Sequence, residues 1–371
     1  MSFLYRTILR PAVFLQDSEK AHNRMISTFS RASRSRLMMS LLGNLYSSPE
    51  LPTKVFDLEF PNPLGIAAGI DKNGQAVPAW QAIGFGFSEI GGVTLHEQLG
   101  NPKPRMFRAT FERALVNRMG FNNLGANSVL DKLKDFKNRG LWPESPVGIN
   151  LGKSKITPLK KAPEDYAGSL ELLWNHADFF VINVSSPNTL GLRELQQAEH
   201  LESILNQCQK TNTKCSKKEG RGPKPLLVKI APELDDDYLK DIIKLIGKYK
   251  LSGIVATNTT IQRPETKNSK CKKVYSEEGG LSGVPLRERS TEMISKIYKM
   301  TDGKVPIIGV GGIFTVDDAW EKIAAGASLI QLYTGLVFEG PGIARNIVSE
   351  LKKRVANEGF ESISDVIGIN A

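Results

Sequence analysis

Val181–Arg193 reads VINVSSPNTLGLR: an apolar run, V-I-N-V, halted by two serines, a proline, an asparagine and a threonine. An ending of that kind reads as a polar turn leaving a buried strand. Asn183 does not suit a strand that only fills a core, because burying a side-chain amide without partners costs about 1–3 kcal/mol. Something must meet that amide. Ser186 follows three residues later, and none of the four histidines (His22, His96, His176, His200) is near it in sequence.

With this one included, eight runs of the same character punctuate the chain. In order they are LGIAAG (64–69), FSEIGGVT (87–94), VGINLG (147–152), FFVINVS (179–185), PLLVKIAP (225–232), GIVATNT (253–259), PIIGVGGI (306–313) and LIQLYTG (329–335). Helical patterns separate the later ones: Glu194–Gln209, Asp235–Lys250, Leu286–Met300, Val316–Ala325 and Ala344–Ala356. Continuous apolar strands alternating with helices predict a parallel sheet covered on both faces. Eight of them predict a (β/α)8 barrel, of the α/β class. His96–Asn123 is too long for a simple connection and is expected to form a hairpin-like excursion over the barrel mouth.

The chain has 371 residues, 40% hydrophobic and 24% charged, an ordinary soluble composition. Its three cysteines form no C-x-x-C pair and have no histidine at ligand spacing, so neither a disulfide framework nor a metal site is expected. The net charge of +10 favours an anionic partner. Part of it lies in KTNTKCSKKEGRGPK (210–224), expected to be a solvated loop; its lack of interleaved aromatics argues against a nucleic-acid groove.

Such barrels work at the C-terminal ends of their strands. There the chain places Asp71 and Lys72, Asn150, Asn183, Lys229, Thr257 and Asn258, and Tyr333 and Thr334. Gly311-Gly312 and Tyr333-Thr334-Gly335 stand where barrels commonly take a phosphate. Asn117, Asn183, Asn188 and Asn258 converge on the same mouth. Carboxamides, with acceptor and donors side by side, suit the edge of a pyrimidine-like ring. Lys72 and the backbone of Asn117–Phe121 add positive potential for a carboxylate.

These residues carry a family resemblance. NPLGIAAGIDKNG (62–74), GNPKPRMFR (100–108), NRMGFNN (117–123), GINLGKS (148–154), INVSSPNTLGLR (182–193), VKIAP (228–232), ATNTT (256–260), GGLSG (279–283), PIIGVGGI (306–313) and QLYTG (331–335) resemble, in order, the class 2, quinone-linked dihydroorotate dehydrogenases. The resemblance implies FMN, (S)-dihydroorotate oxidised to orotate in de novo pyrimidine (UMP) biosynthesis, and ubiquinone or menaquinone as acceptor. By position, Ala68, Gly69, Ile70, Asp71, Lys72, Gly92, Asn150, Asn183, Lys229, Thr257, Gly283, Gly312, Tyr333 and Thr334 would hold FMN. Lys72, Asn117, Arg118, Met119, Gly120, Phe121, Asn183, Asn188, Asn258 and Thr259 would hold dihydroorotate. Ser186 would remove the C5 proton, with Thr189 and a water near Phe121 as relay. Lys229 would be the cation beside flavin N1 and O2. Gly92 departs from the threonine or serine common in the family, so only a backbone contact is expected there.

Residues 1–50 hold seven Arg/Lys against three acids and are expected to form a separate helical module ahead of a catalytic domain at 51–371. Asp17 or Ser18 is the predicted N-cap of a helix whose Ala21, Met25 and Phe29 share one face. Leu37–Leu42 predicts a second, apolar helix. Two amphipathic helices with basic flanks suit a membrane interface, and class 2 enzymes use such a module as the quinone entrance. His22, Arg108 and Tyr333 are the expected contacts of the quinone head. The chain is expected to act as a monomer at the cytoplasmic face of a bacterial inner membrane, attached peripherally, with no nucleic-acid partner. The rival reading is an FMN barrel acting on RNA, similar to tRNA dihydrouridine synthases, but those use a cysteine acid and an added RNA-binding domain.

Overall fold

The computed structural model describes residues 4–188 and 198–371. Eight parallel strands close into a barrel: β1 Leu64–Ile66, β2 Phe87–Val93, β3 Val147–Leu151, β4 Phe179–Asn183, β5 Leu226–Ile230, β6 Gly253–Ala256, β7 Ile307–Val310 and β8 Leu329–Leu332. Each pairs with the next in chain order and β8 closes onto β1. All eight match the runs expected from sequence. Strands covered by helices outside and packed inside leave no wet face, hence the near-continuous apolar runs.

Side chains alternate between two cores. Phe87, Phe179, Val181, Leu227, Val255, Ile308 and Leu329 fill the interior, while Ile90, Phe180, Ile182, Val228 and Ile330 pack outward against the helices. Phe87 and Phe179 fit only because their neighbours lack side chains. A Cβ at Gly65 would stand 2.4 Å from the Phe87 ring, and one at Gly148 would stand 2.1 Å from that of Phe179. A hairpin, Thr53–Val55 with Leu58–Phe60, closes the lower end by setting Phe60 edge-on against Phe87, centroids 5.3 Å apart.

The excursion is a hairpin, Met106–Ala109 with Ala114–Asn117, and Gly280–Gly283 joins it as an unexpected third strand. The expected loop at 210–224 is a correction. A helix runs Ala198–Glu219 through most of it, with Cys208, Thr211, Asn212 and Cys215 buried in helical succession. The lysines on its other face gave it a loop-like composition.

At the N-terminus, Tyr5–Leu9 winds as a π-helix into an α-helix at Arg10–Phe14, followed by α1 Ser18–Ala32 and α2 Arg36–Tyr46. Asp17 caps α1 by accepting from the Lys20 N–H at 2.9 Å, as the sequence suggests. Helix α1 docks on the barrel through Ile26, through Phe29 against Trp80 (5.3 Å between centroids), and through a buried ion pair. In that pair, Arg105 donates from Nε and Nη2 to the Glu19 carboxylate at 3.0 and 2.7 Å. Burial pushes the Glu19 carboxyl up, but Arg105 and Lys103 outweigh it and hold the group below its ordinary value. A carboxyl depressed on folding contributes stability above its unfolded pKa, lost as pH falls through the folded one. Acid should therefore loosen α1 before the barrel. Fluorescence of Trp80 should report this as an early acid transition, and the same transition persisting in Glu19→Gln would count against Glu19 as its cause.

Candidate functional site

Counting inward-facing residues up each strand, the apolar layer gives way to a polar one. Two residues after Phe87, Gly148, Val181, Leu227, Val255 and Leu329 come Glu89, Asn150, Asn183, Lys229, Thr257 and Gln331. Glu89 is 0% exposed. Its carboxylate accepts from Asn150 Nδ2 and from Gln331 Nε2, each at 2.6 Å, and lies 3.9 Å from Lys229 Nζ. Asn150 Oδ1 in turn accepts from Asn183 Nδ2 at 3.0 Å. Asn183 Oδ1 accepts from the Ser185 hydroxyl (3.0 Å) and from Asn258 Nδ2 (3.4 Å). These bonds answer what the buried Asn183 meets.

The cavity above this floor lies under the three-stranded lid. Its wall includes Ala68, Gly69, Lys72, Gly92, Asn183, Lys229, Thr257, Gly283, Gly312, Tyr333 and Thr334 from one expected group. From the other it includes Asn117, Met119, Gly120, Phe121, Asn188, Asn258 and Thr259, with Ser186 between them. Four expected residues lie off the wall. Ile70 is in the outer core. Asp71 accepts from the backbone N–H groups of Gln75 and Ala76 and from the Trp80 indole, so it braces the turn after β1. Asn150 sits beneath the wall in the polar floor. Arg118 turns its side chain away to Glu277 at 2.7 Å and stacks on Phe107. At Gly92 a Cβ would come within 2.6 Å of the Phe121 ring, so the aromatic fills the space of the missing side chain.

Ser186 Oγ accepts the Asn188 N–H at 3.3 Å, and Asn188 Nδ2 donates to Asn117 Oδ1 at 3.1 Å across to the lid. Asn101 braces that junction, its Nδ2 donating to the carbonyls of Asn188 and Arg118, each at 3.0 Å. Thr189, the expected relay, lies outside the described residues. Burial is the main force on Lys72 and lowers its amine to about 8. It also drives His22 down to about 3, with Lys72 adding repulsion, so the imidazole is neutral. Burial raises the Tyr333 phenol to about 12. Of the three expected quinone contacts, Tyr333 alone lines the cavity. Arg108 instead clasps the end of the Arg10–Phe14 helix, donating to the carbonyls of Val13, Phe14 and Gln16 and lying 4.4 Å over the Phe14 ring.

Sequence reasoning missed Glu89, Gln331 and Ser282. The last two line the cavity, Ser282 bonding Thr334 at 2.8 Å. The step of two from each interior aromatic or aliphatic residue would have found Glu89 and Gln331.

A family profile described as dihydroorotate dehydrogenase matches residues 50–355. The chain belongs to that family. The dihydroorotate dehydrogenase (quinone) of Gloeobacter violaceus is 49% identical over 367 residues, covering 98% of each chain. That of Nostoc punctiforme is 48% identical over 380 residues, covering 99% of this chain and 98% of its own. Among solved structures, dihydroorotate dehydrogenase from Eimeria tenella in complex with ferulenol is 38% identical. It superposes with a TM-score of 0.86, covering 95% of this chain and 96% of its own. Full-length likeness to the quinone-linked dihydroorotate dehydrogenases makes this chain an oxidoreductase of pyrimidine biosynthesis that oxidises dihydroorotate to orotate with a quinone as acceptor. The RNA-modifying alternative is not favoured.

Proposed function

We propose that the cavity holds FMN over the polar floor and dihydroorotate under the lid, with Ser186 as the base. The fit rests on what the cavity leaves open. Among the described residues, Gln331 Oε1 and Asn188 Oδ1 are buried without a hydrogen-bond partner, and ligand N–H groups reaching them would satisfy both. Gly311 and Gly312 stand at φ 132° and 73° at the end of β7, letting backbone approach a phosphate. Lys229 supplies a buried cation beneath the ring. FMN, when bound, supplies hydride acceptance at one face and onward electron transfer.

The chain's own groups do the rest. Asn183 and Asn258 on the floor side, with Asn117 and Asn188 on the lid side, present donors and acceptors to both edges of a planar ring. Lys72 holds the carboxylate. The Asn188 N–H bonded to Ser186 Oγ fixes that oxygen toward the substrate carbon and stabilises negative charge on it when its proton leaves. Phe121 and the lid keep bulk water from that oxygen.

Attachment to a quinone-bearing membrane completes the reading, on the cytoplasmic side of a bacterial inner membrane, peripherally and as a monomer. No helix among the described residues is long and apolar enough to cross a membrane. Helix α2 nonetheless exposes Leu37, Leu41 and Leu45 by 69, 45 and 44% along one stripe, opposite the packed Met39, Leu42 and Tyr46. With Leu4, Ile8, Leu9 and Leu15 also exposed and basic residues around them, this face suits the headgroup–acyl boundary. The quinone path we propose runs from these helices to Tyr333, with His22 and Arg108 beside it to guide ubiquinone or menaquinone.

The observation that carries the proposal is the meeting of Lys229, the amides, Gln331 and Ser186 on the wall of one cavity. Purified protein should show flavin absorbance, bleached by dihydroorotate and restored by quinone but not by fumarate or NAD. Protein without flavin bands would refute it. Lys72 adds a second check. Its amine, at about 8, favours the substrate carboxylate while protonated. The KM for dihydroorotate should be flat below pH 8 and rise above it. A KM constant through that range would remove Lys72 from carboxylate recognition.

A further inference from the structure

We infer that Glu89 is the positioning residue that sets the hydrogen-bonding polarity of the flavin floor. The inference rests on the flavin reading above.

A carboxylate is acceptor-only, whereas an amide can turn either end toward a neighbour. Glu89 sits at the centre of the polar layer with one oxygen on Asn150 Nδ2 and the other on Gln331 Nε2. Both amides must therefore present their NH₂ groups to Glu89 and their oxygens elsewhere. For Gln331 the consequence is immediate: its Oε1 is left buried and without a hydrogen-bond partner among the described residues, on a side chain that lines the cavity. For Asn150 it propagates. Its Oδ1 meets Asn183 Nδ2, which leaves Asn183 Oδ1 to accept from Ser185 and Asn258. One buried carboxylate thus fixes three amides, one directly on the cavity wall and one through an intermediary. It also stands 3.9 Å from Lys229 and partly offsets the cation under the ring. Nothing in core packing calls for a fully buried glutamate at this position, where the layer below is phenylalanine and leucine. Left unpaired, such a charge would be among the costliest groups to bury.

Glu89→Gln keeps the shape and replaces an acceptor by a donor. It sets Gln Nε2 against an amide NH₂ on one side, so Asn150 or Gln331 must turn over. The expected result is FMN affinity of the apoprotein weaker by about ten- to a hundredfold, the scale of losing charge-assisted hydrogen bonds. The flavin potential should move positive, because Lys229 is no longer offset. Glu89→Asp retains the acceptor pair and should recover part of both. The double variant E89Q/Q331E restores a carboxylate between amides in mirrored order. It should bind FMN more tightly than E89Q alone, and it serves equally if E89Q fails to fold.

Parent protein without FMN would reject the flavin reading itself. Parent protein with FMN, beside an E89Q variant of unchanged affinity and potential, would overturn the role of Glu89 and leave that reading intact. A double variant no better than E89Q would overturn it too, showing that charge at residue 89, and not amide polarity, is what matters.

Discussion

Ser186→Ala is expected to slow reduction of the flavin by dihydroorotate by about a hundred- to ten-thousandfold, the usual cost of removing a general base, with FMN still bound. Such a base would be unusual, because a serine hydroxyl normally needs a histidine to take its proton. Among the described residues no imidazole or carboxylate bonds Ser186 Oγ; its partner is the Asn188 N–H at 3.3 Å. That bond favours the alkoxide by hydrogen bonding to the charged form, and alanine removes it together with the oxygen. Dihydroorotate affinity, which the proposed reading assigns to Lys72 and the four asparagines, should stay within a few-fold of the parent, an effect on the scale of one neutral hydrogen bond. Single-turnover mixing separates the two. Parental flavin reduction in the alanine variant would remove Ser186 from the chemistry.

Deletion of residues 1–50 should abolish reoxidation by a long-tailed quinone while a short, water-soluble acceptor still works. The barrel interior contains no residue of this segment, so the shortened protein should remain yellow. It should also be less stable than the full chain. The deletion takes Glu19 from Arg105 and removes the packing of Ile26 and of Phe29 on Trp80. Binding to anionic vesicles should be lost together with quinone turnover. Undiminished turnover with the long-tailed quinone would show that residues 1–50 are not the quinone entrance, and an unchanged melting temperature would show that α1 carries no docking energy.

The barrel was legible because its strands have one environment on both sides, so each appears as an unbroken apolar run with polar residues at the exit. The N-cap Asp17 and the capping residues Asp235 and Thr315 bounded helices within a residue or two for a local reason, a side-chain oxygen meeting a free N–H. The amides at the strand ends were legible as misfits. Glu89 and Gln331 were not, since each is a single polar residue inside a run that reads as core, and only the inward register shows them on one level with Lys229. Gly280–Gly283 carries two glycines, and its strand exists because the hairpin Ala114–Asn117 offers it an edge. The helix through Lys210–Glu219 was hidden by its charge, since the buried Cys208, Asn212 and Cys215 are too polar or too sparse to announce a stripe.

The ion pair of Glu19 with Arg105 reaches further than docking. Arg105 also donates from Nη1 to the carbonyls of Leu99 and Asn101, at 2.6 and 2.7 Å, and Asn101 in turn braces Asn188. A continuous polar strut therefore joins α1 to Asn188 on the cavity wall. Any free energy that strut carries is reciprocal. A compound that binds against α1 and moves the strut changes the affinity of a ligand held at Asn188 by the same factor by which that ligand changes the affinity of the compound. Inhibition patterns against the two substrates then become linked quantities, and a compound at α1 that competes only with quinone is one that leaves the strut unmoved.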